Sequence, residues 1–122
     1  MRALILCAGA ALCLSGCATL TGSPSVAAQR GVYNAESDFA AALPVAVAYE
    51  NLPACSSTQA FPCASPSSVA KITAAARAAR ASLSTAQAAV RAGSNSEALT
   101  AAALQAESDV SAFVTLVGAF AK

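Results

Sequence analysis

The chain has 122 residues, of which 57% are hydrophobic and 11% charged, with a formal net charge of +1 and no histidine or tryptophan. This neutral balance argues against a nucleic-acid partner, because nucleic acid rewards a basic surface. The length allows one small domain, and the abundance of alanine favours helices.

The N-terminal segment has the layout of a secretory signal. Arg2 is followed by the apolar run Ala3 to Leu14 and then by the small residues Ser15 and Gly16. A run of this length matches the apolar core of a signal peptide, whereas a membrane-spanning helix needs about 20 residues. An ordinary cleaved signal and an uncleaved anchor are the alternatives at this point.

The four residues Leu14-Ser15-Gly16-Cys17 resemble the lipobox of bacterial lipoproteins. The resemblance implies that residues 1–16 are removed and that lipid is attached to the sulfur of Cys17, which becomes the first residue of the mature chain. Residues 17–24 are then a short tether, and the membrane is a partner through several acyl chains, which bind far more firmly than one. In this class an aspartate after the cysteine retains the protein in the inner membrane. Ala18 therefore favours the periplasmic face of the outer membrane in a Gram-negative host.

A first helix is predicted from about residue 25 to residue 51. Ser23 followed by Pro24 matches a helix start, with serine as the N-cap and proline at the first helical position. The larger apolar residues fall close to one face: Val32, Phe39, Leu43 and Val47. Pro44 removes one backbone hydrogen bond and is predicted to kink the helix or divide it.

Residues 52–66 form a loop rich in proline and serine that contains Cys55 and Cys63. In an exported chain, two cysteines in one loop predict a disulfide, and closing so small a ring should stabilise the fold by about 2–3 kcal/mol in the chain-entropy picture. A zinc site would need four ligands, and a redox-active pair is more typically Cys-x-x-Cys, so a structural role is favoured. We expect no metal and no cofactor.

Two further helices are predicted at about residues 66–92 and 95–121. In each, apolar residues alternate three and four positions apart, which is the spacing of a helical-bundle seam. The seam of the second helix consists of Val69, Ile72, Ala76, Ala79, Leu83, Ala86 and Val90. The seam of the third consists of Leu99, Ala103, Ala106, Val110, Phe113, Val117 and Phe120. Gly93 fits the position just after a helix, and Ser94 with Glu97 fits a capping box.

These elements predict an all-α domain over residues 25–122, a three-helix up-down-up bundle with a disulfide-stapled loop between its first two helices. The short turn after the second helix makes the last two an antiparallel hairpin. The second helix carries only basic charges, whereas the first and third are mainly acidic. Because exposed ion pairs contribute little individually, this segregation is expected to specify which helices are neighbours.

The residue types that catalysis needs do not occur in a recognisable arrangement. A serine or cysteine nucleophile has no histidine to serve as its base, and Lys71 and Lys122 stand outside any Ser-x-x-Lys motif. Glu36 and Asp38 are two residues apart, so they point in different directions on a helix and form no dyad. We therefore expect no catalytic residues and a protein that is not an enzyme.

The stretch Val110 to Ala121 is apolar nearly all round. It favours a helix buried against both of its neighbours. The alternative is an exposed patch through which the C-terminal helix self-associates or binds a partner protein.

Lys122 is the last residue of the sequence. A terminal lysine on a lipid-anchored helical chain is similar to the murein lipoproteins of the outer membrane, in which that lysine is joined to peptidoglycan. The resemblance implies attachment through Lys122; the alternative is a solvated lysine that offsets the helix dipole.

The sequence thus predicts a non-enzymatic, membrane-anchored lipoprotein of the bacterial cell envelope, acting as a structural or protein-interaction module with an envelope protein that the sequence does not identify. Its small size and anchor are also typical of phage- or plasmid-derived envelope lipoproteins, such as a lysis accessory or an exclusion factor. A murein-linked lipoprotein is the other alternative.

Overall fold

A computed structural model describes residues 23–56, 58 and 62–120 of the chain. Within these residues the chain forms three packed α-helices: α1 (Pro24–Glu50), α2 (Pro66–Arg91) and α3 (Ser96–Phe120). The predicted helix boundaries agree with these to within one residue, and the all-helical prediction is confirmed.

Contacts between side chains show that α1 and α2 run in opposite directions. In the middle of α1, Glu36 accepts a hydrogen bond from Gln87, which lies near the end of α2 (2.7 Å). At the C-terminal end of α1, Glu50 accepts one from Thr73, near the start of α2 (3.0 Å). The two helices are therefore antiparallel.

Two aromatic pairs show that α1 and α3 run in the same direction. The rings of Phe39 and Phe113 lie 5.2 Å apart near the middle of the bundle. The rings of Tyr49 and Phe120 lie 5.6 Å apart where both helices end. Since α2 is antiparallel to α1, the three helices run up, down and up.

The core follows the predicted seams of α2 and α3. Phe113, Ile72 and Val110 are the largest fully buried side chains, and Ala79, Ala86 and Ala106 show no exposed surface at all. Alanine at the seam allows helix axes to approach near the short end of the usual 8–10 Å range. The core is therefore built as much from close backbone approach as from large side chains.

The predicted core face of α1 is wrong at its C-terminal end. Val47 is 47% exposed, whereas its neighbour Ala46 is 3% exposed and belongs to the core. The alternation of four and three that begins at Val32 and Phe39 reaches position 46, not 47. Register along the seam decides burial here, and side-chain size does not.

The helix α1 is not divided at Pro44, contrary to one of the two outcomes predicted for that residue. The helix continues through this position to Glu50. Pro44 is exposed. Because the ring lies on the solvent side, water can satisfy the carbonyl of Ala40 that the missing N–H leaves unpaired.

The start of α2 and the turn that follows α2 form as predicted. The Ser65 hydroxyl accepts a hydrogen bond from the backbone N–H of Ser68 (3.1 Å). Gly93 has φ +62°, a left-handed conformation that glycine adopts without a Cβ penalty. The backbone N–H groups of Gly93 and Ser94 donate to the carbonyls of Val90 (3.2 Å) and Ala89 (3.1 Å), the Schellman pattern.

The capping box predicted at Ser94 and Glu97 is wrong, because Asn95 caps α3 instead. The Asn95 side-chain oxygen accepts from the N–H of Ala98 (2.8 Å), and its carbonyl accepts from the N–H of Leu99 (3.0 Å). Ser94 already completes the end of α2 and so lies outside α3. Asparagine and serine are equally good N-caps, so residue preference alone could not choose between them.

In the part of the chain that the structure describes, no helix combines the length and hydropathy that crossing a membrane requires.

Candidate functional site

Of the residues to which the sequence assigns a role, the structure brings the two loop cysteines together. Cys55 and Cys63 form a disulfide in the connection between α1 and α2, as predicted. Cys17 and Lys122 lie outside the described residues. The lipid anchor and the wall attachment therefore remain predictions.

Backbone hydrogen bonds reinforce the connection beside the disulfide. The N–H of Cys55 donates to the carbonyl of Ala64 (3.0 Å), and the N–H of Ala64 donates to the carbonyl of Pro53 (2.8 Å). Cys63 and Ala64 are buried, whereas Cys55 is exposed. The two ends of the loop are thus held together by backbone pairing as well as by the covalent bond.

Tyr49 joins the three helices at this end of the bundle. Its hydroxyl oxygen accepts a hydrogen bond from the backbone N–H of Ser65, at the start of α2 (3.3 Å). Its ring stacks on Phe120 at the end of α3. Tyr49 therefore packs as a structural residue, while Tyr33 is 63% exposed on the other half of α1.

The first described residues and the disulfide lie at opposite ends of the molecule. A helix of 27 residues such as α1 extends about 40 Å at 1.5 Å per residue. Pro24 begins α1 at one end, next to the turn at Gly93, whereas the disulfide, Tyr49 and Phe120 occupy the other end. A tether on the N-terminal side of α1 would therefore hold the disulfide end farthest from its attachment point.

The groove between α1 and α2 is the most open seam of the bundle, because each of these helices packs more extensively on α3 than on the other. It contains two hollows. One, of about 220 Å³, includes Tyr33, Glu36 and Arg91, and the other, of about 230 Å³, includes Val47 and Arg77.

Each wall of this groove is a row of residues in bundle spacing. The row on α1, called the acidic row below, consists of Gln29, Tyr33, Glu36, Ala40, Leu43, Val47 and Glu50. The row on α2, called the basic row below, consists of Thr73, Arg77, Arg80, Ser84, Gln87 and Arg91. The two carboxylates of the groove therefore stand on one helix and its three guanidinium groups on the other.

Arg80 shows how the basic row leans toward α1. Its guanidinium carbon lies 6.0 Å from the centre of the Phe39 ring, at the outer limit of a cation–π contact. Its stem covers part of the core while its charged end stays exposed, as long basic side chains generally do.

The groove between α1 and α3 has a different character. The part nearer the start of α1 is polar and includes Asn34, Asp38 and Glu107. The part nearer the end of α1, of about 550 Å³, is shallow and apolar and includes Val45 and Val114. All the ionisable side chains in this groove are acidic.

The C-terminal apolar stretch is largely used by the core. Val110, Phe113 and Val117 are buried, and Leu116 and Phe120 are half-buried. Val114 is 38% exposed, so this stretch contributes only a narrow apolar strip to the surface. The interpretation of this stretch as a helix buried against its neighbours describes its large apolar side chains apart from Val114.

Within the described ranges, no group of three or more cysteine, aspartate or glutamate side chains is placed to hold a metal ion. The buried residues of these ranges are all apolar or glycine. The ionisable side chains described here therefore lie at or near the surface, where they are suited to contacts with other molecules.

Sequence reasoning missed the open groove between α1 and α2. Leu43 and Val47 belong to the predicted apolar face of α1, yet their spacing of four matches the acidic row equally well. The signal for the groove is a second register of bundle spacing on each of the first two helices. It is weak because many of its members are polar.

No protein-family model matches the chain, and neither a curated protein nor a solved structure matches it.

Proposed function

We propose that the protein is a lipid-anchored component of the bacterial cell envelope, attached through Cys17 and acting by binding rather than by catalysis. The observation that carries the proposal is the resemblance of Leu14-Ser15-Gly16-Cys17 to a lipobox. Its localisation is the outer membrane, since Ala18 stands where an aspartate would retain the protein in the inner membrane.

The start of α1 supports this anchor. Pro24 begins a helix that belongs to the bundle, so only residues 18–23 separate Cys17 from a folded element. A tether this short reaches at most about 20 Å when fully extended. The bundle therefore sits next to the bilayer, with its α1 start and the Gly93 turn toward the lipid and its disulfide end toward the periplasm.

The exposed faces of the bundle support a binding role. Charged side chains line two open grooves between helices: Glu36, Glu50, Arg77, Arg80 and Arg91 in one, and Asp38 and Glu107 in the other. Long grooves between helices suit an elongated protein partner better than a small substrate. The proposed role is a structural or protein-interaction module.

Labelling with a palmitate analogue in a Gram-negative host tests the anchor. We expect the wild-type protein and the Cys13→Ala variant to incorporate the label, and the Cys17→Ala variant to lose it. Mass spectrometry should find a mature N-terminus at residue 17. An unlabelled wild-type protein, or a mature form that retains Met1, would refute the proposal.

Attachment to the cell wall is a second candidate function, favoured by the position of the end of α3. Phe120 lies at the end of the bundle opposite Pro24, so α3 ends on the side that faces away from the proposed anchor. On this proposal the amine of Lys122 is joined to peptidoglycan.

Boiling envelopes in detergent and probing the purified sacculi tests the wall attachment. We expect a fraction of the wild-type protein to stay with the sacculi and the Lys122→Arg variant to be fully released. Complete release of the wild-type protein would dismiss the attachment and leave the lipid anchor unaffected.

A further inference from the structure

We propose that the groove between α1 and α2 joins two copies of this chain side by side, in parallel, about a two-fold axis that runs along the helices. The face that makes this contact consists of the acidic row on α1 and the basic row on α2. The charge argument stands on the structure alone, whereas the advantage of parallel copies rests on the lipid anchor proposed above.

The charges of this face complement themselves. Glu36 and Glu50 stand on its α1 side, and Arg77, Arg80 and Arg91 stand on its α2 side. A two-fold symmetric contact uses the same surface on both copies, so that surface must match itself. On this face the acidic row and the basic row lie side by side along the helices. The face therefore matches itself when the acidic row of one copy meets the basic row of the other.

The two-fold axis can lie in the plane of the contact in two symmetric orientations, one parallel to the helices and one perpendicular to them. An axis parallel to the helices places α1 of each copy against α2 of the other, so acidic and basic rows meet. An axis perpendicular to the helices places α1 against α1 and α2 against α2, so like charges meet. Charge complementarity therefore favours the parallel axis.

The hydrogen bonds within one chain fix which residues meet, because a parallel axis preserves height along the bundle. Glu36 is level with Gln87, and Glu50 with Thr73. Arg91 is four residues from Gln87, so it lies about 6 Å along the axis from the level of Glu36, within reach of an arginine side chain.

The other end of the face repeats this match. Arg77 is four residues from Thr73, so Arg77 of the second copy lies about 6 Å from the level of Glu50. Tyr33 is nearly level with Arg91, so the exposed ring can meet the guanidinium of the second copy. Two-fold symmetry makes every such contact twice.

In the same arrangement, the apolar side chains of the acidic row come level with arginine side chains of the second copy. Val47, which is 47% exposed, comes level with Arg77 of the second copy, and the half-buried Leu43 comes level with Arg80 of the second copy. The carbon stems of arginine cover apolar surface while their charged ends stay wet. This contact would account for a valine that the fold of one chain leaves uncovered.

The parallel axis also suits two anchored molecules. It keeps the start of α1 in both copies at the same end of the pair, so both Cys17 residues meet one bilayer. A perpendicular axis would place the two anchors about 40 Å apart at opposite ends. The membrane and the charges thus select the same arrangement.

Crosslinking between two differently tagged full-length chains tests the contact and its direction. One chain carries Ala40→Cys and the other Ser84→Cys; both residues are exposed and lie at nearly the same height. We expect a short bismaleimide to join the two tags in whole cells and in detergent extracts. Absence of the mixed product, or a product between two Ala40→Cys chains in its place, would overturn the proposal.

Charge reversal supplies the matched control. We expect Glu36→Arg with Glu50→Arg to lower the yield of mixed product about tenfold, since each reversal sets like charges against each other in both halves of the pair. Adding Arg77→Glu and Arg91→Glu should restore the yield, and circular dichroism of the first variant checks that it folds.

Asp38→Arg with Glu107→Arg makes the same change of charge in the groove between α1 and α3. We expect it to leave the yield unchanged; a loss of crosslinking there would overturn the proposed contact. Palmitate labelling of the same samples separates the two proposals. A labelled protein without the mixed product refutes the pairing alone, and a mixed product without the label refutes the anchor alone.

Discussion

Small residues decide how closely the helices of this bundle approach. Gly31 lies inside α1 and is buried, and the carboxylate of Glu107 on α3 occupies the space that a methyl group at position 31 would take. The carboxylate is the far end of an exposed side chain, so it can move at little cost. Gly31 is therefore a residue at which the fold tolerates a larger side chain.

We predict that Gly31→Ala stabilises the protein by about 1 kcal/mol, because alanine is the better helix former in a helix interior. Urea unfolding monitored by circular dichroism measures the change. In the Glu107→Ala background the gain should be at least as large, since nothing then needs to move. A loss of stability that Glu107→Ala relieves would show that the carboxylate is held more rigidly than its exposure indicates.

The fully buried alanines differ from Gly31, because the fold does not tolerate a larger side chain at their positions. Ala106 of α3 lies at the seam and is fully buried. We predict that Ala106→Leu destabilises the protein by about 1–3 kcal/mol, because an overpacked seam must move helices apart or force strained rotamers. The exposed Ala101→Leu is the control and should change the midpoint of thermal unfolding little. Equal effects at the two positions would contradict a close-packed seam.

At the scale of the elements, α1 carries a residue that weakens it. Pro44 lies inside a continuous helix and is exposed. The helix runs on through it to Glu50. Helix α1 therefore forms because its seam packs on α3 and despite its local propensity.

We predict that Pro44→Ala raises the free energy of unfolding by about 1–3 kcal/mol, because it restores a backbone donor and removes the clash of the ring. Ser37→Ala, on the same exposed side of α1, is the control and should gain only about 0.5 kcal/mol from propensity. Denaturant titration compares them. A loss of stability in Pro44→Ala would mean that α1 requires the local geometry that proline imposes.

The helices were predictable from sequence because alternation of three and four marks the seams of α2 and α3, serine followed by proline marks the starts of α1 and α2, and Gly93 marks the end of α2. The face of α1 was not fully predictable, because alanines such as Ala46 give a weak hydrophobic signal beside Val47. Choosing between Ser94 and Asn95 as the cap of α3 required the hydrogen bonds of the preceding turn. The open groove required knowing that α1 and α2 pack mainly on α3.

At the scale of the whole molecule, the disulfide closes the end of the bundle that lies opposite the start of α1. Its ring is short, spanning a separation of 8 residues, and backbone pairing and the Tyr49 hydroxyl hold the same region. The helices themselves are packed along the full length of the bundle. The covalent bond should therefore affect stability more than shape.

We predict that the double variant Cys55→Ala, Cys63→Ala loses about 2–3 kcal/mol of stability in the chain-entropy picture while keeping its helix content. Circular dichroism at low temperature measures the helix content, and thermal unfolding measures the loss. Tyr49→Phe in the same background should cost about 1 kcal/mol more by removing a hydrogen bond. An unchanged melting temperature in the double variant would show that the disulfide does not stabilise the fold.

The alanine-rich interior has a consequence for how this protein responds to temperature. Alanine makes up nearly half of the buried core residues, so large apolar side chains, whose exposure to water raises the heat capacity on unfolding, are fewer than in a core of leucine and isoleucine. A small heat-capacity increment flattens the curve of unfolding free energy against temperature. The bundle should accordingly hold a modest but nearly constant margin of stability from cold to warm surroundings, in place of a sharp optimum.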